Sequence, residues 1–166
     1  MTRAHPPLEG DERSMLVGWL DFHRETLAIK AGGLGPDQFA ARPIANSAIS
    51  LLGLVRHLTE IERTYFRRVF AGAEVPDLPF GVDPFGEEPG SDFASAAAAS
   101  PDEALDAWRA EVEAAREVID SAASLDDRGE SGLPLRFWLI KTLNEYARHN
   151  GHADVIRELI DGTTGE

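Results

Sequence analysis

Apolar residues recur at helical spacing in four stretches of the chain, and no stretch alternates as a half-buried strand would. The first stretch runs from about Asp11 to Lys30, where Met15, Leu16, Trp19, Leu20, Phe22, Leu27 and Ile29 make a broad, imperfect stripe. The turn-rich run Ala31-Gly32-Gly33-Leu34-Gly35-Pro36 stops it. A loop follows from Pro36 to Ser50. The second stretch begins at Ser47 or Ser50 and reaches Ala71, with Leu51, Leu54, Leu58, Ile61, Tyr65 and Val69 on one face and Gly72 as its stop. The third has a clear start. Ser100 caps it, Pro101 suits the first helical position, and Glu103 completes a Ser-x-x-Glu box. Its inner stripe is Ala104, Leu105, Trp108, Val112, Ala115 and Ile119, and it runs to about Ala123. The fourth covers about Leu135 to Ile160, with Pro134 near its first turn and Gly162 just past its end.

Four helices of this length in one domain predict an all-α four-helix bundle spanning 1–166, with 1–10 as a flexible start. Between the second and third helices lies a long irregular segment, Gly72 to Ser100, broken by Pro76, Pro79, Pro84 and Pro89. Its apolar residues, among them Val75, Leu78, Phe80, Val82, Phe85 and Phe93, favour a segment packed on one end of the bundle over a free linker. A short helical turn is expected within Asp92 to Ala99.

The fourth helix carries the chemistry. Steps of four and three along one face give Trp138, Thr142, Glu145, His149, His152, Ile156 and Ile160. That face is apolar at both ends and polar in the middle. A buried carboxylate without compensation takes up a proton or costs several kcal/mol. A divalent cation removes the penalty and uses the same groups as ligands. Glu145 and His149 stand one turn apart, so both side chains reach one ion. A further ligand is needed from another helix, and His57, on the Leu54–His57–Ile61 face of helix two, supplies it. Two nitrogens and one oxygen leave open positions, the pattern of a catalytic site. Zinc is the first expectation, and nickel, iron and manganese suit the same ligands. Other readings stay open. Glu145 could pair with an arginine, and His149 could be a satisfied core histidine. His152, a turn past His149, is either a rival ligand to Glu145 or a catalytic group that orients water or substrate and moves a proton. His5 and His23 lack a matching pair and are not expected as ligands. Asn144, Arg148 and Arg157 fall on other faces and are expected to meet water or loops.

Charge and composition narrow the partners. The formal net charge is -13, which disfavours nucleic acid and anionic membranes. Cysteine is absent, so a disulfide framework, a cysteine nucleophile and a thiolate metal site are excluded. No window nears the ~20 apolar residues a membrane span needs, and the first fourteen residues hold no apolar run, so a cytoplasmic location is expected.

Two separated motifs are similar to a known family. Arg42-Pro43-Ile44-Ala45-Asn46-Ser47, Leu51 to Leu58 and Glu60-Ile61-Glu62-Arg63-Thr64-Tyr65-Phe66 resemble the second-helix signature of the DinB-like superfamily, in its DUF664 branch. Glu145-Tyr146-Ala147-Arg148-His149-Asn150-Gly151-His152-Ala153-Asp154 resembles the fourth-helix signature of the same branch. The resemblance implies an up-down-down-up bundle whose long crossover is Gly72 to Ser100. It implies one metal on His57, Glu145 and His149, although many members have histidine where this chain has Glu145. The related mycothiol-dependent maleylpyruvate isomerase has glutamate there. Enzymes of the superfamily use a low-molecular-weight thiol as co-substrate, in mycothiol- and bacillithiol-dependent transfer or isomerisation on small electrophiles. The composition, rich in Ala, Arg and Gly, fits a high-GC genome and hence mycothiol. A homodimer is also implied. The alternative function is a non-catalytic, metal-containing module that binds a small molecule.

Overall fold

A computed structural model describes residues 3, 5–78 and 100–165. Four long helical rods make the body: α1 (Glu12–Ala31), α3 (Leu51–Glu62) with its π-helical continuation (Arg63–Phe70), α4 (Pro101–Ser121) and α5 (Leu135–Asp161). A short helix, α2 (Pro36–Phe39), interrupts what the sequence suggests is loop. It buries Phe39, which anchors the connection between α1 and α3 to the core. No strand forms among the described residues; one isolated bridge joins Arg128 and Pro134.

The termini are set by local chemistry. Asp11 caps α1 by accepting from the Ser14 N–H at 2.7 Å. Ser100 and Glu103 form the expected reciprocal box at the start of α4. Gly162, at φ 78°, closes α5 in the left-handed region, where a side chain would be strained.

Side-chain contacts fix the helix directions. Arg136, near the start of α5, bonds Glu12 at the start of α1 at 2.6 Å, and Arg157, near the end of α5, donates to the Lys30 carbonyl at 2.7 Å. These two helices are therefore parallel. Arg13, at the start of α1, donates to the Ala122 carbonyl beyond the end of α4 at 2.8 Å, so α4 runs the other way. The helical rod that starts with α3 opposes α5. His57 faces Glu145, while Tyr65, eight residues on, packs its ring 5.2 Å from that of Trp138, seven residues before Glu145. The course is up-down-down-up, as the resemblance implies. Two consecutive helices pointing the same way call for a crossover. Residues 79–99, which hold most of the expected crossover and its short helical turn, lie outside the described residues.

The α3 rod is the central element: every residue from Leu51 to Phe66 is buried. An entirely buried helix has no solvent face, so its polar side chains must find protein partners. Thr59 donates back to the Val55 carbonyl at 2.7 Å. Glu62 accepts both arms of the Arg24 guanidinium, at 2.8 and 2.7 Å. Arg63 bonds Glu111 and the Pro76 carbonyl. Along Arg63–Phe70 the backbone widens to π-helical bonding, and the Ala71 N–H after it reaches the Phe66 carbonyl five residues back. Helical periodicity did not foretell this register. Arg157, expected to face water or a loop, is instead buried, because it ties the end of α1 through the carbonyls of Lys30 and Gly32.

Candidate metal centre

Three side chains from two helices meet between α3 and α5. His57 projects from α3, and Glu145 and His149 project from adjoining turns of α5. One donor atom from each lies within 4.8 Å of the other two. His149 Nε2 is 3.5 Å and His57 Nε2 is 3.8 Å from the same oxygen, Glu145 Oε2. The two imidazoles stand edge to face, with centroids 4.6 Å apart. Donors at ~2.0–2.2 Å from a shared tetrahedral centre sit roughly 3.3–3.6 Å from each other. The two histidine–glutamate spacings lie within a few tenths of an ångström of that range, and with all three donors inside 4.8 Å of one another the residues could hold a divalent cation.

The electrostatics match a site built around charge. The imidazoles of His149 and His57 hold the Glu145 carboxyl well below the usual carboxylate range, against the opposing effect of burial. Glu145 is thus an anion. Burial pushes the His149 imidazole below its usual value, so its neutral form is favoured. A neutral imidazole is the form that offers a lone pair to a metal.

Tyr65, from the π-helical segment, is the residue that sequence reasoning missed. It reads as one more apolar position of helix two. Its hydroxyl donates to Glu145, and burial followed by that neighbouring negative charge raises its pKa strongly. The Lys141 ammonium lies 4.9 Å from the centre of the same ring. A tyrosine in a stripe otherwise filled by Leu and Ile is a signal, because a buried phenol needs a partner.

His152 is half-buried and stands outside the converging three. Its Nδ1 approaches His149 Nδ1 at 3.3 Å, on the side of that ring away from Glu145. His5 is exposed, and His23 meets Asn150, which donates to the His23 carbonyl at 3.0 Å. Neither belongs to the cluster.

Next to the cluster lies a second polar assembly, with one member from each long rod. Trp108 of α4 donates its indole N–H to the Tyr146 hydroxyl of α5 at 2.8 Å. Tyr146 in turn donates to Glu62 of α3 at 2.8 Å, and Glu62 holds Arg24 of α1. Arg24 and Tyr146 are each 1% exposed or less, so this network is sealed from solvent.

An up-down-down-up bundle with two histidines and a glutamate converging between its second and last long helices has a DinB-like helical fold. The chain belongs to the mycothiol-S-transferase family, whose model matches residues 15–162. A solved structure described as a conserved protein from Enterococcus faecalis is similar over 93% of this chain and 100% of its own, with a TM-score of 0.64 and 15% identity. At that identity the likeness bears on the fold alone. No protein with a curated description matches the chain. Among the described residues, no helix is long and apolar enough to cross a membrane.

Proposed function

We propose that this protein is a metal-dependent transferase that joins a low-molecular-weight thiol, mycothiol, to a small electrophile, with His57, Glu145 and His149 holding the metal. The observation that carries the reading is the convergence of those three donors in a chain of the mycothiol-S-transferase family. Zinc suits two imidazoles and one carboxylate. A divalent cation there would lower the pKa of a bound thiol, so that the thiolate is present at neutral pH.

The chain's own residues do the rest. With no cysteine in the sequence, the sulfur comes from outside. His57 and His149 present Nε2 from opposing helices, so the rigid packing of α3 on α5 sets the spacing of the site. Glu145 offers one oxygen to both histidines, and the Tyr65 hydroxyl restrains the carboxylate. Burial of His57 and His149 keeps bulk water away and strengthens each charge interaction inside.

The test is thiol-dependent loss of a small electrophile, such as a haloaromatic or an epoxide, by zinc-loaded protein. Turnover with mycothiol that is absent in His149→Ala supports the reading. A zinc-loaded wild type that leaves a broad electrophile panel untouched contradicts it.

A further inference from the structure

The Nδ1···Nδ1 contact between His149 and His152 leaves few ways to place hydrogens. One nitrogen must donate and the other accept, since two lone pairs or two N–H groups facing each other at 3.3 Å would repel. The other face of His149 decides which. Its Nε2 points at Glu145 Oε2, 3.5 Å away. A carboxylate only accepts. Without a cation, His149 Nε2 therefore carries the hydrogen, its Nδ1 is a lone pair, and His152 Nδ1 donates to it. A cation held by His149 Nε2 needs the lone pair on that nitrogen. His149 must then carry its hydrogen on Nδ1, and the His152 nitrogen facing it must accept.

We propose that His149 and His152 are a coupled tautomer pair, and that His152 is a positioning residue which exchanges donor for acceptor when His149 ligates a divalent cation. The inference rests on the metal reading above. The proton balance closes. The Nε2 proton of His149 leaves to solvent, the Nδ1 proton of His152 passes across the 3.3 Å contact to His149 Nδ1, and His152 takes a solvent proton on its Nε2. One proton leaves and one enters, so the charge of the pair does not change. Metal-binding histidines ordinarily donate their second N–H to a carboxylate, carbonyl or water. Here the acceptor is another imidazole, which can fill that role only in one tautomer. His152 thus acts through His149, holding its ring and tautomer.

Long-range nitrogen–proton NMR on histidine-labelled protein reads the tautomers directly. Before zinc is added, the expected forms are Nε2–H for His149 and Nδ1–H for His152. After zinc, both invert. A His152 ring in the Nε2–H form in both samples overturns the pair while leaving the metal reading intact. Zinc that changes no His149 resonance overturns the metal reading and the pair with it. A second measurement uses chelator competition for zinc. His152→Phe, which cannot accept, is expected to bind zinc roughly 10–100-fold more weakly, with the helical circular dichroism of the zinc-free protein unchanged. His152→Gln, whose amide oxygen accepts, is expected to recover most of that loss. Equal zinc affinity in His152→Phe and wild type overturns the proposal.

Discussion

Tyr146 and Glu62 meet in the sealed core with a 2.8 Å hydrogen bond, and each has a chain neighbour that looks elsewhere. Glu145, directly before Tyr146, turns to His57 and His149. Arg63, directly after Glu62, turns to Glu111 and the Pro76 carbonyl. The polar network that joins the four rods and the candidate metal centre therefore share backbone.

Breaking the Arg24–Glu62 fork should be costly. Glu62→Ala leaves a guanidinium inside the bundle with its main partner gone, and loss of one partner of a buried pair costs about 3–5 kcal/mol. Denaturant unfolding of the zinc-free protein measures it. The double replacement Arg24→Met with Glu62→Leu should be much less destabilising, because neither charge is stranded. A Glu62→Ala loss below about 1 kcal/mol would show that the fork does not secure the bundle.

Tyr146→Phe removes a donor to Glu62 and an acceptor for Trp108 at one stroke. Each unmade buried bond costs about 1–3 kcal/mol. The expected result is a destabilisation at the low end of their sum, with the helical circular dichroism unchanged. An unaltered unfolding midpoint would contradict the network.

Burial raises the pKa of the Glu60 carboxyl, against the favourable charges of Arg68 and Arg63. In the unfolded chain the group ionises around 4.5. Above that pH and up to the raised folded value, the folded chain binds more protons than the unfolded one, so stability falls as pH rises through this window. Glu60→Gln is neutral throughout. It should remove this decline and leave the protein at least as stable as wild type at neutral pH. A variant that is less stable than wild type at pH 7 would mean that the ionised carboxylate is held by the Arg68 contact, 3.9 Å away, more firmly than burial opposes it.

Tyr65→Phe should keep the fold and loosen Glu145. The hydroxyl is the only atom lost, so core packing stays. Zinc affinity is expected to fall about 10-fold or more, the range seen when groups that orient metal ligands are removed. Chelator competition reads the change, and an affinity equal to wild type would separate Tyr65 from the site.

Much of this arrangement is legible in the sequence because burial and chemistry conflict there. Glu145 and His149 stand out as polar positions within an apolar stripe, and Ser100-Pro101 with Glu103 marks a helix start by its hydrogen-bonding logic alone. The unseen parts depend on which faces meet. Arg24 and Glu62 are 38 residues apart on different helices, and nothing local to either reveals the other. Arg157 reads as a surface arginine until the end of α1 is placed beside it. The π-helical turn changes backbone register without changing the apolar pattern, so periodicity does not report it. Tyr65 was visible only as a hydrophobic residue, although its hydroxyl had to go somewhere.

The most direct test of the metal centre is elemental analysis of freshly purified protein beside His57→Ala and His149→Ala. The account predicts about one divalent metal per wild-type chain and a near-empty site in both variants, each still folded. A folded wild type that holds no metal, and whose melting temperature does not move when zinc is added, would contradict it.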